Sequence, residues 1–323
     1  MASSDPRNIV SLTLFRHKAS AYEHPDCGEW RGKFFARYLP VIIRAYKAFY
    51  PDWRIVIHHD SSVYTNLYGD VLIGLEKDGI VELEEVAQDP PSLAEASLWR
   101  MRPIRMSSLA KVVITRDIDS LPTAREAEMV REFIASEAIA QVIHDSPSHN
   151  GLMTGMMAFK VREVCARVDT HDLFFWLRDR GRSDYLDFDV HETDQVILNR
   201  HLRPSIADGL LETKGTAIER NTPLERLGRH IGAPFDHREA AVVLSQTGLS
   251  SDVSIEWQRI ESREKSIGYS INASPAFADN RRRVIIGVDH NLVYAFFTPI
   301  VTAMWKAMGF GVEIVALDPI RGS

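Results

Sequence analysis

The chain has 323 residues, a length that accommodates one large domain or two smaller ones. Its 38 basic and 44 acidic residues give a net charge of −6 and a pI near 6.1, so there is no global electrostatic reason to bind nucleic acid. With 45% apolar and 25% charged residues, the composition excludes intrinsic disorder, a collagen-like chain and a disulfide scaffold.

Two stretches of the sequence bear on the expected location of the protein. The first six residues lack the basic start and apolar run of a signal peptide. The most apolar stretch, residues 292–305, is too short to span a bilayer. The two cysteines, Cys27 and Cys165, fit a reducing compartment. These features predict a cytoplasmic protein without a membrane span, and they leave its oligomeric state open.

The amino-terminal third alternates between strand and helix patterns. Strands are predicted at residues 9–15 and 53–57, with a helix at 33–49 between them. A strand–helix–strand order favours a parallel sheet. A strand at 80–86, a helix at 93–102 and a short buried strand at 111–114 are predicted next.

The middle of the chain continues this alternation. Thr123 and Glu126 form a capping pattern that begins a helix. Beyond it, strands are predicted at 139–144 and 152–159, and helices at 172–177 and 193–202. The chain then turns polar over residues 238–283, which predicts a domain boundary near 234–236. The expected domains are residues 1–235 and 236–323.

A weak internal similarity relates the two ends of the chain. A shift of 259 residues places residues 40–42 on 299–301, 46–48 on 305–307 and 55–56 on 314–315. One interpretation is a chance match between two amphipathic helix–strand pairs. The other is that residues 284–323 begin a second copy of the fold, in which case the sequence is part of a longer protein.

The sharpest motif is Asp117-Ile118-Asp119, directly after the predicted buried strand. Side chains two residues apart on an extended segment point the same way, so both carboxylates are expected to face a crevice at the end of that strand. Carboxylate oxygens suit Mg²⁺ or Mn²⁺ bridging the phosphates of a nucleotide. The alternative is a solvated turn that leads into the helix at Thr123.

Residues 112–122 resemble the Asp-x-Asp region of GT-A glycosyltransferases, and more closely nucleotide-diphospho-sugar transferases related to those of large algal viruses. Three further segments, 144–155, 193–199 and 230–232, extend the similarity in order and spacing over residues 9–235. The resemblance implies a GT-A-like α/β fold. Its Rossmann-like sheet is mixed and mostly parallel, flanked by helices, and a smaller α/β segment follows.

The resemblance further implies a metal-dependent glycosyltransferase that moves a hexosyl or pentosyl group from a nucleotide-diphosphate donor to a saccharide or other hydroxyl acceptor. Asp119 then coordinates the metal, Asp117 contacts the metal or the ribose, and His230 completes the site. Imidazole beside carboxylates favours Mn²⁺ over Mg²⁺. Alternative imidazole ligands are His149, His191 and His201.

In such an enzyme Asp194 and Gln195 lie near the anomeric carbon, where Asp194 binds a donor-sugar hydroxyl or stabilises an oxocarbenium-like state. Asp145, His149 and Gly155 are the expected acceptor-side residues. An inverting enzyme needs a base near the acceptor hydroxyl, which Asp194 or Asp145 can supply. The resemblance of the Asp-Gln…Leu-Asn segment to retaining members favours retention, and the stereochemical outcome is left open.

The chemistry of the leaving group points to the remaining candidates. The charge that develops on a nucleoside diphosphate is neutralised by a divalent cation and by arginines, here Arg100 and Arg116. Loops after the first two strands of a parallel sheet border the ligand. The expected nucleotide contacts there are Thr13, Arg16, Tyr22 and Asp60, with Tyr22 placed to stack on the base.

Two other functions are considered for the chain. Asp117-Ile118-Asp119 is also similar to the nucleophile loop of haloacid-dehalogenase-type phosphatases, although Ser120-Leu121-Pro122 departs from that pattern. The chain can also be a non-catalytic carbohydrate-binding or assembly protein that keeps a GT-A fold. The sequence contains no phosphate-binding P-loop, no dinucleotide glycine motif and no zinc-ligand spacing.

Overall fold

The computed structural model describes residues 8–15, 29–61, 69–87, 92–146, 149–190, 192–214, 231–232, 283–288 and 311–316. The chain divides into two compact units, Met1–Glu256 and Trp257–Ser323. The predicted domain boundary near residue 235 lies outside the described residues and stays a prediction.

The first unit is built on a seven-stranded sheet. Its strands are β1 (Ile9–Leu14), β2 (Arg54–Asp60), β3 (Glu82–Ala87), β4 (Val112–Arg116), β5 (Ala140–His144), β6 (Met156–Lys160) and β7 (Leu210–Lys214). The strand order is β3-β2-β1-β4-β6-β5-β7. β3, β2, β1 and β4 are parallel, β6 is antiparallel to both β4 and β5, and β7 is parallel to β5. The predicted mixed, mostly parallel sheet flanked by helices is confirmed.

The helices follow the strands in alternation. They are α1 (Glu29–Phe49), α2 (Gly69–Lys77), α3 (Leu93–Leu98), α4 (Ala124–Ala135), α5 (Val161–Arg167), α6 (Leu173–Ser183), α7 (Thr193–Ile197) and α8 (Arg203–Ile206). A 3-10 turn, Trp99–Met101, extends α3, and a π-helical turn, Leu198–Leu202, joins α7 to α8. No helix in the described part of the chain is both long and apolar enough to cross a membrane.

Burial explains why the central strands carry apolar residues on both faces. All six residues of β1 and all five of β4 are buried. Strands in the middle of a mostly parallel sheet are covered on both faces, so both faces need apolar side chains. Trp99, on the 3-10 turn, is buried and packs edge-on against Phe15 with 6.2 Å between ring centroids. The turn that follows α3 is thereby fixed close to the end of β1.

The predicted strands and helices agree with most of these elements, but one strand begins later than predicted and four short elements were not predicted. The Thr123 hydroxyl accepts a hydrogen bond from the Glu126 backbone N–H at 3.0 Å, so the predicted start of α4 is confirmed. The strand predicted at 152–159 begins only at Met156, because residues 152–155 form a loop. The short elements α2, α5, α8 and β7 were not predicted.

The described part of the second unit consists of two strands. β8 (Arg283–Val288) and β9 (Gly311–Ala316) pair in parallel, with Arg283 opposite Gly311. Two consecutive strands that pair in parallel need a crossover between them. β9 contains residues 314–315, which the internal similarity matches to residues 55–56 of β2. The second-copy interpretation itself stays a prediction.

Candidate functional site

Three elements bring polar side chains together at the carboxyl ends of β1 and β4. Thr13 lies near the end of β1, Asp117 directly follows β4, and Arg100 lies on the 3-10 turn. The Arg100 Nε donates to Thr13 Oγ1 at 3.2 Å, and its Nη1 lies 2.8 Å from Asp117 Oδ1. Neighbouring parallel strands end at the same sheet edge, which is where open α/β sheets place their ligands.

The loop before β6 joins this cluster to α7. Arg100 Nη1 also donates to Thr154 Oγ1 at 3.1 Å, and the Thr154 hydroxyl donates to Asp194 Oδ2 at 2.6 Å. Asp194 is in the first turn of α7 and is buried. A continuous chain of polar contacts therefore runs from Asp117 through Arg100 and Thr154 to Asp194.

The two carboxylates at the ends of this chain have different environments. The Asp117 side chain is 41% exposed, whereas the Arg100 side chain paired with it is only 8% exposed. Burial raises the pKa of Asp194, and the Thr154 hydrogen bond and the Arg100 charge offset part of this rise. The site thus combines an open carboxylate, a nearly buried cation and a desolvated carboxyl group.

Gly155 lies directly against the Asp117 carboxylate. A Cβ atom at residue 155 would collide with Asp117 Oδ2, so a larger residue there would displace that carboxylate. The structure therefore places Gly155 beside the Asp-x-Asp motif.

The geometry of the motif differs from the expectation. β4 ends at Arg116, and the Ser120 backbone N–H and hydroxyl donate to the Asp117 carbonyl at 3.3 and 2.9 Å. Residues 117–120 therefore form a turn, and the extended geometry that was expected to align Asp117 with Asp119 is wrong. Asp119 is partly buried in this turn. The turn brings Asp117 to Arg100 and leads the chain to Thr123 at the start of α4.

Arg116, expected to contact the phosphates, points into the core. It has no exposed surface, its Nε donates to Glu126 Oε1 at 2.7 Å, and its Nη1 donates to the carbonyls of Thr115 and Met157 at 2.8 Å. The pKa of Arg116 is raised: burial lowers it, but the Glu126 charge and the nearby Tyr50 and Tyr46 outweigh that effect. A side chain enclosed in this way does not reach a ligand, so the phosphate contact expected of Arg116 does not fit the structure.

Two of the three acceptor-side candidates lie around β5. Asp145 is 5% exposed and pairs with Arg125, whose Nη1 donates to Oδ1 at 2.6 Å and whose Nη2 contacts Oδ2. The backbone N–H of Ile231 donates to the same Oδ2 at 2.6 Å, and the Asp145 N–H donates to His149 Nδ1 at 3.2 Å. Asp145 therefore tethers the segment 231–232 to the end of β5.

The remaining candidates fall into two groups. Asp60 is buried at the end of β2, on the far side of β1 from β4. His201, in the π-helical turn, has its Nε2 2.8 Å from Oδ2 of Asp184, the C-cap residue of α6. The other candidates lie outside the described residues: Arg16, Tyr22, His191 and His230.

Sequence reasoning missed Thr154. It is buried, and it links Arg100 to Asp194. The available signal was a hydroxyl residue next to Gly155 in a segment already marked as part of the site. No local sequence pattern shows that this hydroxyl contacts Arg100 and Asp194, which lie 54 and 40 residues away in the chain.

The oxygen donors of the Asp-x-Asp motif fit a hard divalent cation. Within the described residues, no three His, Cys, Asp or Glu side chains lie close enough together to hold a metal ion. The predicted third ligand, His230, is outside that part of the chain. Ile231, the residue after it, packs with Met153 and Met156, which flank Thr154 and Gly155.

Comparisons with known proteins assign the chain to no family. No protein-family model matches the chain, and no curated protein matches its sequence. Two solved structures similar to it are 4-diphosphocytidyl-2C-methyl-D-erythritol synthase from Anaerococcus prevotii and a Desulfovibrio desulfuricans protein provisionally assigned as a nucleotide-diphospho-sugar transferase. They are 10% and 12% identical, with TM-scores of 0.38 and 0.37. Both cover 65% of this chain, and 88% and 80% of their own chains.

Proposed function

We propose that this chain is a glycosyltransferase that uses a nucleotide-diphosphate sugar donor. The observation that carries the proposal is the contact chain from Asp117 through Arg100 and Thr154 to Asp194, at the carboxyl ends of β1 and β4. It offers a cation and an open carboxylate for a diphosphate and its metal. It also offers a separate buried carboxyl group for a sugar. Arg116 is not part of this proposed site.

Arg100 is the proposed diphosphate ligand. Its guanidinium is held by Thr13 and Thr154 and faces the half-exposed Asp117. A guanidinium fixed in place neutralises the charge that develops on the leaving diphosphate without reorganisation. Thr13 and Thr154 act here by orienting Arg100.

Asp117 and Asp119, with His230 as third ligand, are the proposed holders of Mn²⁺ or Mg²⁺. When bound, this ion stabilises negative charge on the leaving diphosphate. The position of Ile231 supports the inclusion of His230, because Ile231 is fixed by Asp145 and packs beside Met156. Asp117 has a second task, since its pairing with Arg100 aligns that guanidinium with the phosphates.

Asp194 and Gln195 are proposed to contact the donor sugar near its anomeric carbon. A desolvated carboxylate interacts more strongly with a developing oxocarbenium-like charge than a solvated one does. The acceptor is a saccharide or another hydroxyl compound, with His149 and Gly155 on its side of the site. The carboxylate of Asp145 already pairs with Arg125, so Asp194 is the better candidate for chemistry. Retention is the favoured outcome because residues 193–199 resemble the corresponding segment of retaining enzymes.

A thermal-shift panel of UDP-, GDP-, CMP- and dTDP-sugars, with and without Mn²⁺, tests the proposal. Stabilisation grows with ligand concentration over Kd, so one nucleotide class that requires Mn²⁺ identifies the donor. Asp119→Ala is expected to remove the Mn²⁺-dependent shift while the protein without ligand still unfolds in one cooperative transition.

Activity assays run beside that panel have two outcomes that contradict the proposal. Hydrolysis of a generic phosphoester that is lost in Asp117→Asn favours the phosphatase. Metal-dependent binding of a nucleotide sugar, with neither hydrolysis nor transfer to any tested acceptor, favours the non-catalytic carbohydrate-binding protein.

A further inference from the structure

We propose that Asn199 is a positioning residue that fastens the loop 151–155 to α7 and so fixes the spacing between the two halves of the site. The proposal rests on the proposed function, because it concerns how the diphosphate side and the sugar side are held together. Asn199 lies in the π-helical turn that follows α7.

The side-chain amide of Asn199 makes three hydrogen bonds to two backbone segments. Its Oδ1 accepts from the Leu152 N–H at 2.8 Å, and its Nδ2 donates to the Leu152 carbonyl at 2.9 Å. The same Nδ2 donates to the Gln195 carbonyl at 2.8 Å. One side chain therefore pairs with Leu152 as a β-strand would, and ties this pairing to the turn that carries Asp194 and Gln195.

The chemistry of these partners requires an amide. A backbone N–H can only donate and a carbonyl can only accept, so the orientation of the Asn199 amide is fixed by its neighbours. Aspartate offers the acceptor but no donor, and it places a carboxylate against two carbonyl oxygens. Among the residues of similar size, only asparagine supplies both functions.

Gly151 makes room for this contact. It has a positive φ of 68°, and a Cβ atom there would collide with the Asn199 Oδ1. We call the Asn199 side chain with its three hydrogen bonds the clamp. A residue with a Cβ atom at position 151 is disfavoured both by the backbone conformation and by its collision with this clamp. The glycine and the asparagine form one unit, although 47 residues separate Leu152 from Asn199.

The local helix geometry also singles out this position. The chain changes from α-helical to π-helical geometry at Leu198, immediately before Asn199. Single π-helical turns occur frequently at functional sites. At the other end, α7 begins after Glu192, a non-glycine residue with a positive φ of 67°. The helix that carries Asp194 is therefore bounded by two irregular conformations and fixed to the loop by Asn199.

The clamp acts on both ends of the contact chain. Two residues after Leu152, Thr154 contacts Arg100 and Asp194, and Gly155 lies against Asp117. A shift of this loop relative to α7 changes the Thr154–Asp194 contact, and with it the alignment of the phosphates with the sugar. Small misalignments of this kind cost large factors in rate.

The experiment compares Asn199→Ala, Asn199→Asp, Gly151→Ala and the matched control Gln141→Ala in the full chain. Gln141 is a buried amide whose Nε2 donates to the Met129 carbonyl at 3.1 Å and to Thr213 Oγ1 at 2.9 Å, between α4, β5 and β7. Its loss removes comparable side-chain bonds without touching the loop. Hydrogen–deuterium exchange of the peptide covering residues 151–156 is measured first, without any ligand.

Exchange of that peptide is expected to rise about tenfold or more in Asn199→Ala, from the loss of three side-chain bonds. Asn199→Asp and Gly151→Ala are expected to act similarly, and the Gly151/Asn199 double variant should add little to either single one. Gln141→Ala should leave the peptide unchanged. Unchanged protection in Asn199→Ala overturns the proposal.

A second readout separates positioning from simple stability. Affinities for UDP and for UDP-glucose, and for GDP and GDP-mannose, are measured with Mn²⁺. The clamp variants should lose about tenfold more affinity for the nucleotide sugar than for its nucleoside diphosphate, and Gln141→Ala should not. An equal loss for both ligands overturns the positioning role. If the wild-type protein binds no sugar donor of the full panel with Mn²⁺, the proposed function fails, while the exchange experiment still decides whether Asn199 fixes the loop.

Discussion

Two arginine–carboxylate pairs flank the end of β4, and they differ in how much water each one meets. Arg116 and Glu126 are 1% and 2% exposed and lie 2.7 Å apart. Arg100 and Asp117 lie 2.8 Å apart, but Asp117 is 41% exposed. Asp117 lies in the turn after β4, and Glu126 lies in α4, the helix that follows this turn. Two neighbouring segments therefore supply the acid of a buried pair and the acid of a solvent-facing pair.

The difference separates a structural charge from one that is open to a ligand. Every polar contact of Arg116 described above ends inside the protein, on Glu126 and two backbone carbonyls. The Arg100 guanidinium is equally well oriented, but its acidic partner faces solvent. A phosphate or a cation can therefore approach the second pair without first breaking the core.

Arg116→Ala is the strongest test of this distinction. Removal of one partner of a buried ion pair leaves an uncompensated charge and costs about 3–5 kcal/mol. In a domain of this size we expect the melting temperature to fall by about 10 °C, measured by calorimetry or circular dichroism. The double variant Arg116→Met/Glu126→Leu removes both charges and should recover part of that loss. A stable Arg116→Ala protein with weakened donor binding would place Arg116 in the site after all.

Arg100→Ala should weaken donor binding more than it lowers stability, the reverse of Arg116→Ala. Hydrogen bonds to charged groups contribute about 1.5–3 kcal/mol, so we expect donor affinity to fall about tenfold to a hundredfold. The melting temperature without ligand should fall less than in Arg116→Ala, because the Asp117 carboxylate left behind is 41% exposed, although the buried Asp194 also loses a neighbouring positive charge. Arg102→Ala is a suitable control, since Arg102 pairs with Glu84 at 2.8 Å and not with Asp117. Equal binding losses in the two variants would remove the special role of Arg100.

Asp194→Asn should stabilise the protein while reducing its activity. Burial raises the pKa of Asp194 above its ordinary value, so the folded state binds this proton more tightly than the unfolded chain does. Ionisation at neutral pH therefore costs stability in the wild type and not in the variant. We expect a melting temperature about 2–4 °C higher at pH 7, and a difference that disappears as the pH falls below the ordinary pKa of an aspartate. A destabilised variant at pH 7 would contradict this sign.

The sequence was sufficient to predict the parts of the fold that have local signals. β1, β2 and β4 are apolar runs bounded by polar residues, and Thr123 marks the start of α4 through its own cap. The order of elements predicted a mostly parallel sheet. β7 is half-buried and polar, so its pattern is weak, and it takes its place only by pairing with β5.

The candidate site was predictable in membership but not in geometry. Arg100, Asp117 and Asp194 were chosen by residue type and position, and the structure joins them in one contact chain. Arg116 was chosen by the same reasoning and is enclosed in the core. Arg116 and Asp117 are adjacent, yet one points into the core and the other into the site. Arg116 points inward because it pairs with Glu126, ten residues further along in α4, and no local sequence pattern shows that pairing.

The contact chain has a consequence for how the protein is made. It links Thr13 to Arg100, Thr154 and finally Asp194, so it draws on nearly the first two hundred residues of the chain. Contacts this distant in sequence form late in folding, after long loops have closed. Asp194, on α7, is synthesised after every strand up to β6. Fragments that end before α7 therefore lack one end of the contact chain, and under the proposed function they should transfer no sugar.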